Sequence, residues 1–185
     1  VSKYIYTYAG TGTNASTGDN GPAYMANIQG PRAITTDTFG NLYMCDATAN
    51  VVRKIGVNGV ITTVAGNGTA GNTGDGGQAT AASIGLGGGG GLCVDKSGSI
   101  YIAATQSQVI RKVNAATGII TTIAGTGTSG FSGDGGRADS AALNLPYDIE
   151  FDKHDNLYIA DDFNYRIRKV DTNGIITTIA GDGIQ

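Results

Sequence analysis

The sequence has no tryptophan, one histidine, two cysteines and three prolines among 185 residues. Each scarcity closes off a class of chemistry. A catalytic zinc site takes three protein ligands, often several histidines, and His154 stands alone. Two cysteines do not make a disulfide framework. Cys45 and Cys93 each fall inside a short apolar run, where cysteine behaves as a small buried hydrophobe, so both are expected to be buried free thiols. No G-x-S-x-G elbow or Cys–His pair is present. Charged residues are also sparse, at 15% of the chain, with a net charge of −3. Nucleic-acid binding needs a clustered basic surface, which this balance disfavours. The surface is therefore carried by Thr, Ser, Asn and Gly, which suits an extracellular or assembled protein. No apolar run approaches the ~20 residues of a membrane helix, and no signal peptide is seen. The chain opens on Val1 rather than Met, as expected of a processed product or a fragment.

Glycine, by contrast, is abundant: 31 residues, more than twice the usual ~7%. There is no collagen period, so the glycines belong to turns. They recur in a phrase. "TYAGTGTNASTGDNG", "TTVAGNGTAGNTGDGG" and "TTIAGTGTSGFSGDGG" follow one another, and "TTIAGDG" begins a fourth. The glycines of the "AG" pairs are Gly10, Gly66, Gly125 and Gly181, at spacings of 56, 59 and 56. Self-similarity at such a period signals a repeat architecture.

Within each period an aspartate follows nine residues after the "AG" glycine: Asp19, Asp75 and Asp134. An alanine-rich stretch follows ("PAYMANI", "QATAASI", "RADSAAL"), expected to form one or two helical turns, with Pro22 at a first helical position. Four short β-branched or aromatic runs come next, bounded by turn residues. That is strand grammar. "NG" at Asn58 and Asn173 reads as a primed two-residue hairpin turn. Each period is thus a four-stranded antiparallel meander plus a long glycine-rich loop, the unit of a β-propeller blade.

"GNLYMCDATANVVRKI" and "DNLYIADDFNYRIRKV" resemble the NHL repeat, a propeller blade with a G-N-L-Y-I-A-D hairpin and an R-I-R-K-V strand. The "TTVAG…GDGG" inserts resemble a glycine-rich NHL subclass common in secreted and surface proteins. The resemblance covers nearly the whole chain and implies an all-β fold. Three four-stranded blades are expected, half of a six-bladed ring, with Ile34, Leu92 and Ile149 in the innermost strands. Residues 4–10 read as an orphan outer strand, 11–66 as repeat 1, 67–125 as repeat 2 and 126–181 as repeat 3.

Several polar residues invite a chemical role. Asp46 with Arg53, and Asp161 with Arg168, lie seven apart across a hairpin and read as structural salt bridges, while Ala104 faces Arg111. Asp19, Asp75 and Asp134 supply one carboxylate per loop, too few for calcium, which takes six to eight oxygens. They are expected to order their loops, by capping the short helix or by binding the loop's own amides. Glu150 stands on an innermost strand where Thr35 and Cys93 stand in the other repeats, lining a channel or pairing with an arginine. The five glycines from Gly87 add about two residues to the pattern, as a loop insertion or as room for another backbone or a glycan. Asn14 and Asn67 head N-x-S/T sequons in the loops and are possible glycosylation sites.

Fold does not fix function. The expectation is a non-catalytic interaction or structural module at an extracellular or surface location. It would complete its propeller with further blades of the same chain or by self-association, as a ring or as a filament. Other proteins or glycans are further partners. No catalytic residue, metal or cofactor is expected, and neither nucleic acid nor a membrane span. The first alternative is half of a six-bladed hydrolase or lyase; the second is an RNA-binding NHL propeller.

Overall fold

The computed structural model describes residues 4–184. It contains three four-stranded antiparallel sheets, each a meander in sequence order. The first blade is β1 (Pro31–Thr36), β2 (Leu42–Asp46), β3 (Val51–Ile55) and β4 (Ile61–Ala65). The second is β5 (Leu92–Val94), β6 (Ile100–Ala104), β7 (Val109–Val113) and β8 (Ile120–Ala124). The third is β9 (Pro146–Phe151), β10 (Leu157–Asp161), β11 (Arg166–Val170) and β12 (Ile176–Ala180). The inner strands adjoin, with β5 between β1 and β9. Ile34, Leu92 and Ile149 lie on these three strands. The molecule is three blades of a β-propeller.

The core lies between blades rather than within one. Tyr43, Cys45, Val52 and Ala65 of the first blade meet Leu92, Ile100, Ile102, Val113 and Ile120 of the second. Cys93, Tyr101, Ala103, Ile110 and Ala124 of the second meet Ile149, Leu157, Ile159, Val170 and Ile176 of the third. Alternate side chains of a strand point to opposite faces, so each sheet has a leading face, towards the preceding blade, and a trailing face, towards the next. The crossover loop wedges in as well: Ile84 and Leu86 join the first interface and Leu143 the second, all wholly buried.

The alanine-rich stretches each form one helical turn, of the 3-10 kind, at Ala23–Met25, Ala79–Ala81 and Ala138–Ser140, and two other local expectations are corrected. Pro22 precedes the first turn as its N-cap, with extended backbone (ψ 131°), instead of occupying a helical position. The "NG" hairpins are not primed two-residue turns. Gly59 takes φ +77° and Gly174 φ +78°, while Asn58 and Asn173 stay at negative φ. Gly59 N–H donates to Gly56 O at 2.8 Å, and Gly56 N–H to Val60 O at 2.9 Å. This is a type I turn closed by a glycine in the left-handed region, the next most favoured hairpin link. Tyr4–Gly10 joins no sheet, and Tyr4, Ile5 and Tyr6 are among the most exposed apolar side chains.

The five-glycine stretch has a packing cause. Gly91 N–H donates to Tyr147 O of β9 at 3.0 Å. A Cβ on Gly91 would lie 2.5 Å from Asp148 Cα, and one on Gly90 would lie 3.3 Å from Cys45 Sγ. Gly91 admits the backbone of the next blade, and Gly90 the Cys45 side chain of the preceding one.

Candidate interaction site

Each blade buries one arginine from its third strand: Arg53, Arg111 and Arg168, none more than 1% exposed. A buried guanidinium must be paired and hydrogen-bonded to be tolerated. Its main partner is the loop aspartate of the same repeat. Arg53 Nη2 reaches Asp19 at 2.6 Å, Arg111 Nη2 reaches Asp75 at 2.6 Å, and Arg168 Nη2 reaches Asp134 at 2.8 Å. The same guanidinium groups donate to loop carbonyls: Thr17 and Asn27, Thr73 and Ser83, and Ser132. The other oxygen of Asp19 and of Asp75 accepts a strand amide, Thr63 N at 3.0 Å and Thr122 N at 2.9 Å. The aspartates thus fasten the crossover loop to the leading face of the blade it enters. They neither cap the 3-10 turns, which have no side-chain cap, nor serve only their own loop.

The hairpin pairs are secondary to this latch. Arg53 Nη1 stands 3.9 Å from Asp46, and Arg168 Nη1 stands 3.2 Å from Asp161. Asp46 instead accepts the amides of Gln29 and Gly30, at 3.0 and 2.7 Å, and Asp161 accepts Asn144 N at 2.7 Å. In the second blade, where Ala104 replaces the aspartate, Ser107 Oγ donates to Gly71 O at 2.7 Å. The three arginines are therefore unavailable to a nucleic acid.

The remaining candidates are dispersed. His154 is exposed in the β9–β10 turn, where its amide donates to Asp152. Glu150 is exposed on β9 and accepts its neighbour's Phe151 amide. Near the axis a cleft of about 290 Å³ is lined by Arg32, Ala33, Gly89, Gly90, Gly91, Tyr147 and Asp148. Among the described residues no group of three His, Cys, Asp or Glu side chains is arranged to hold a metal. Burial pushes the Cys45 thiol up to about 12, with Asp46 adding to it, and raises Cys93 as well. Both stay protonated, which makes them poor nucleophiles. Asn14 and Asn67 are exposed, and the Asn67 amide donates to Ala81 O at 3.1 Å.

Two faces depart from internal regularity, the leading face of the first blade, where Ile34 is exposed, and the trailing face of the third. Ile167 is 37% exposed, where its counterparts Val52 and Ile110 are fully buried. Ala180 and Ile179 are exposed, where Ala65 and Ala124 are buried and Val64 and Ile123 pack against a core. Among the described residues nothing covers this face. In the first two blades the equivalent face is covered by the blade that follows.

Blades, latches and hairpins together define a segment of an NHL-type β-propeller. The family model described as the Teneurin NHL domain matches residues 9–73 and 127–184, and the chain belongs to that family. Teneurin-1 of Gallus gallus is 40% identical over 106 residues, covering 49% of this chain and 4% of the relative. Teneurin-1 of Homo sapiens is 30% identical over 196 residues, covering 96% of this chain and 6% of the relative. The chain thus spans a small fraction of the length of these relatives. Among solved structures, a virginiamycin B lyase from Staphylococcus aureus superposes with a TM-score of 0.54 at 17% identity, over 83% of this chain and 43% of the lyase. At that identity the likeness is one of fold.

Proposed function

We propose that this chain is a non-catalytic interaction module, a segment of a surface or extracellular NHL propeller. The observation that carries this reading is the match of residues 9–73 and 127–184 to the Teneurin NHL domain. The polar groups support it. The buried arginines are used up in loop latches. The repeat unit we assign runs from loop to outer strand, 11–66, 67–125 and 126–181, with Asp19, Asp75 and Asp134 ordering the loops and Asp46–Arg53 and Asp161–Arg168 as supporting pairs. Asn14 and Asn67 are the sites at which a secretory pathway would add glycans. An intact mass equal to the bare chain after secretion from eukaryotic cells would count against that location.

The test against catalysis is metal content. A propeller hydrolase or lyase holding a divalent metal would retain it. After dialysis against a chelator and back into buffer with zinc and calcium, elemental analysis is expected to find well under one ion per chain. Stoichiometric metal would overturn the non-catalytic reading.

A further inference from the structure

We propose that the cleft between the first and second blades, on the face that carries the β1–β2 turn, binds a polypeptide segment in which a carboxylate side chain stands next to an aromatic one. The inference rests on reading the chain as an interaction module, and it names the chemistry of the partner.

The cleft occurs twice on this face, each time between two adjoining blades of the chain. The first has a volume of about 360 Å³, and the second, between the second and third blades, about 350 Å³. Equivalent residues build them. The preceding blade gives a tyrosine from its second strand and a lysine from its third, Tyr43 and Lys54 in the first cleft and Tyr101 and Lys112 in the second. The lysine Nζ stands over the tyrosine ring, 5.4 Å from its centroid in the first cleft and 5.0 Å in the second. The following blade gives an aliphatic floor, Ile100 and Val113 in one and Leu157 and Val170 in the other.

Charge separates the two clefts. The following blade puts Asp155 and Asp171 into the second, where it puts Gly98 and Asn114 into the first. The second cleft thus holds carboxylates of its own. Asp155 pairs with Lys96 at 2.8 Å, and Lys112 lies 3.9 Å from Asp95. In the first cleft Lys54 forms no ion pair among the described residues. Asp37 beside it is already taken by the Asn41 side chain at 2.7 Å, the Tyr43 hydroxyl at 3.2 Å and the Phe39 and Asn41 amides. Asn114 Oδ1 accepts the Ala116 and Thr117 amides at 3.0 and 3.1 Å, while its Nδ2 group donates to nothing among the described residues. An ammonium and an amide N–H therefore line the first cleft with no free carboxylate to receive them.

Aromatic content separates them too. In the second cleft Phe151 meets the Tyr101 ring edge-on, with centroids 4.7 Å apart. Val94, paired with Ile100 as Phe151 is with Leu157, holds that place at the first cleft, and Tyr43 has no aromatic partner among the described residues. Phe39 stands on the rim of the first cleft and is 74% exposed, an apolar entrance where the equivalent turn of the second blade has Ser97. The first cleft thus lacks the carboxylate and the ring that the chain itself supplies in the second. A segment with an aromatic residue beside an aspartate or glutamate brings both. Its carboxylate takes the charge-assisted hydrogen bond of Lys54, and its ring buries apolar area on the floor of Ile100 and Val113.

The experiment titrates the isotope-labelled full chain with N-acetyl-aspartyl-phenylalanine amide and follows it by two-dimensional NMR. Saturable shifts are expected at the Asn114 side-chain amide and at the Val64 and Val113 methyls. The N-acetyl-asparaginyl analogue should bind about tenfold more weakly or worse, the worth of one hydrogen bond to a charged group. Lys54→Met and Asn114→Asp should weaken the aspartyl peptide to the same degree, the first by removing the cation and the second by restoring the carboxylate of the other cleft. Asn114→Asp keeps its turn, because Asp171 accepts the equivalent Asn173 amide at 2.8 Å. Spectra that match the wild type away from the cleft verify that both variants fold, and Lys112→Met, in the second cleft, should bind like the wild type. Hydrocinnamate, a free aryl carboxylic acid, should bind more weakly than the peptide. The absence of saturable shifts at millimolar peptide overturns the inference. So does equal binding of the asparaginyl analogue, wild-type affinity in Lys54→Met, or tighter binding of hydrocinnamate than of the peptide. None of these outcomes touches the non-catalytic reading, which fails on bound metal instead.

Discussion

At the scale of single residues, the buried arginine is the hinge of the fold's energetics. Arg111 is the clearest case, because Ala104 leaves it no hairpin partner and Asp75 is its one carboxylate. Removing the guanidinium leaves two loop carbonyls and a carboxylate without their donor. Asp75 is half-exposed and water can solvate it, so the loss is nearer the about 1.5–3 kcal/mol of a hydrogen bond to a charged group than that of a wholly buried pair. Arg111→Ala should therefore lower the urea midpoint strongly, and Arg111→Lys should recover only part, since a lysine cannot reproduce the fork. An Arg111→Ala chain as stable as the wild type would show that the latch is incidental. The turn aspartates give a second handle. Asp152 is drawn down to about 2, first by the Asn156 side chain and then by the Asn156 and His154 amides. For Asp37 and Asp95, burial acts in the opposite direction, but the hydrogen bonds outweigh it and both are lowered. A depressed folded pKa means that the unfolded chain binds more protons, so this stability is complete above about pH 4 and lost as the pH falls towards 2. Urea midpoints should be flat from neutrality to about pH 5 and then fall, and Asp152→Asn should flatten part of that fall. An unchanged slope in the variant would remove Asp152 from the account.

At the scale of elements, the same spacing logic decides which features were legible in the sequence. Strand positions were legible because the β-branched runs repeat three times between turn residues. The latch was not, because Asp46, seven residues from Arg53 across a hairpin, is the nearer carboxylate in sequence. The closer partner lies 34 residues upstream, as Asp134 lies 34 before Arg168. Asp75 lies 36 before Arg111, and the two extra residues are the glycine insertion. That constant spacing was the available signal. The turn type was misjudged because Asn-Gly favours primed turns only when both residues take positive φ. Here the residue three before the glycine starts a type I turn, with Gly56 preceding Gly59 and Asp171 preceding Gly174. The role of the glycine insertion needed the neighbouring blade to be in view. It yields a paired prediction. Gly91→Ala should destabilise by about 1–3 kcal/mol, the usual cost of overpacking, because its Cβ would meet the Asp148 backbone. Gly88→Ala has nothing within 4 Å and no positive φ, so it should be neutral or slightly stabilising through the unfolded chain. Thermal melts of the two variants side by side decide it. Equal losses would mean that the stretch is only a tolerated insertion.

At the scale of the whole molecule, blades contact only their neighbours, so stability is approximately a sum of blade terms and interface terms. The second blade has an interface on each face. The third has one, on its leading side, and its outermost strand lies beside the uncovered apolar face. Ile176–Ala180 should therefore open locally at lower free energy than its counterparts Ile61–Ala65 and Ile120–Ala124. Their burial already differs in that order, since Ala180 is exposed where Ala65 and Ala124 are fully buried. Hydrogen exchange followed by mass spectrometry resolves the three strands on separate peptides. The expected order is fastest exchange in β12 and slowest in β8, with β4 close to β8 because the loop from Gly66 covers its face. Equal exchange in β4, β8 and β12 at low concentration would mean that the third blade does not depend on a neighbour for its order.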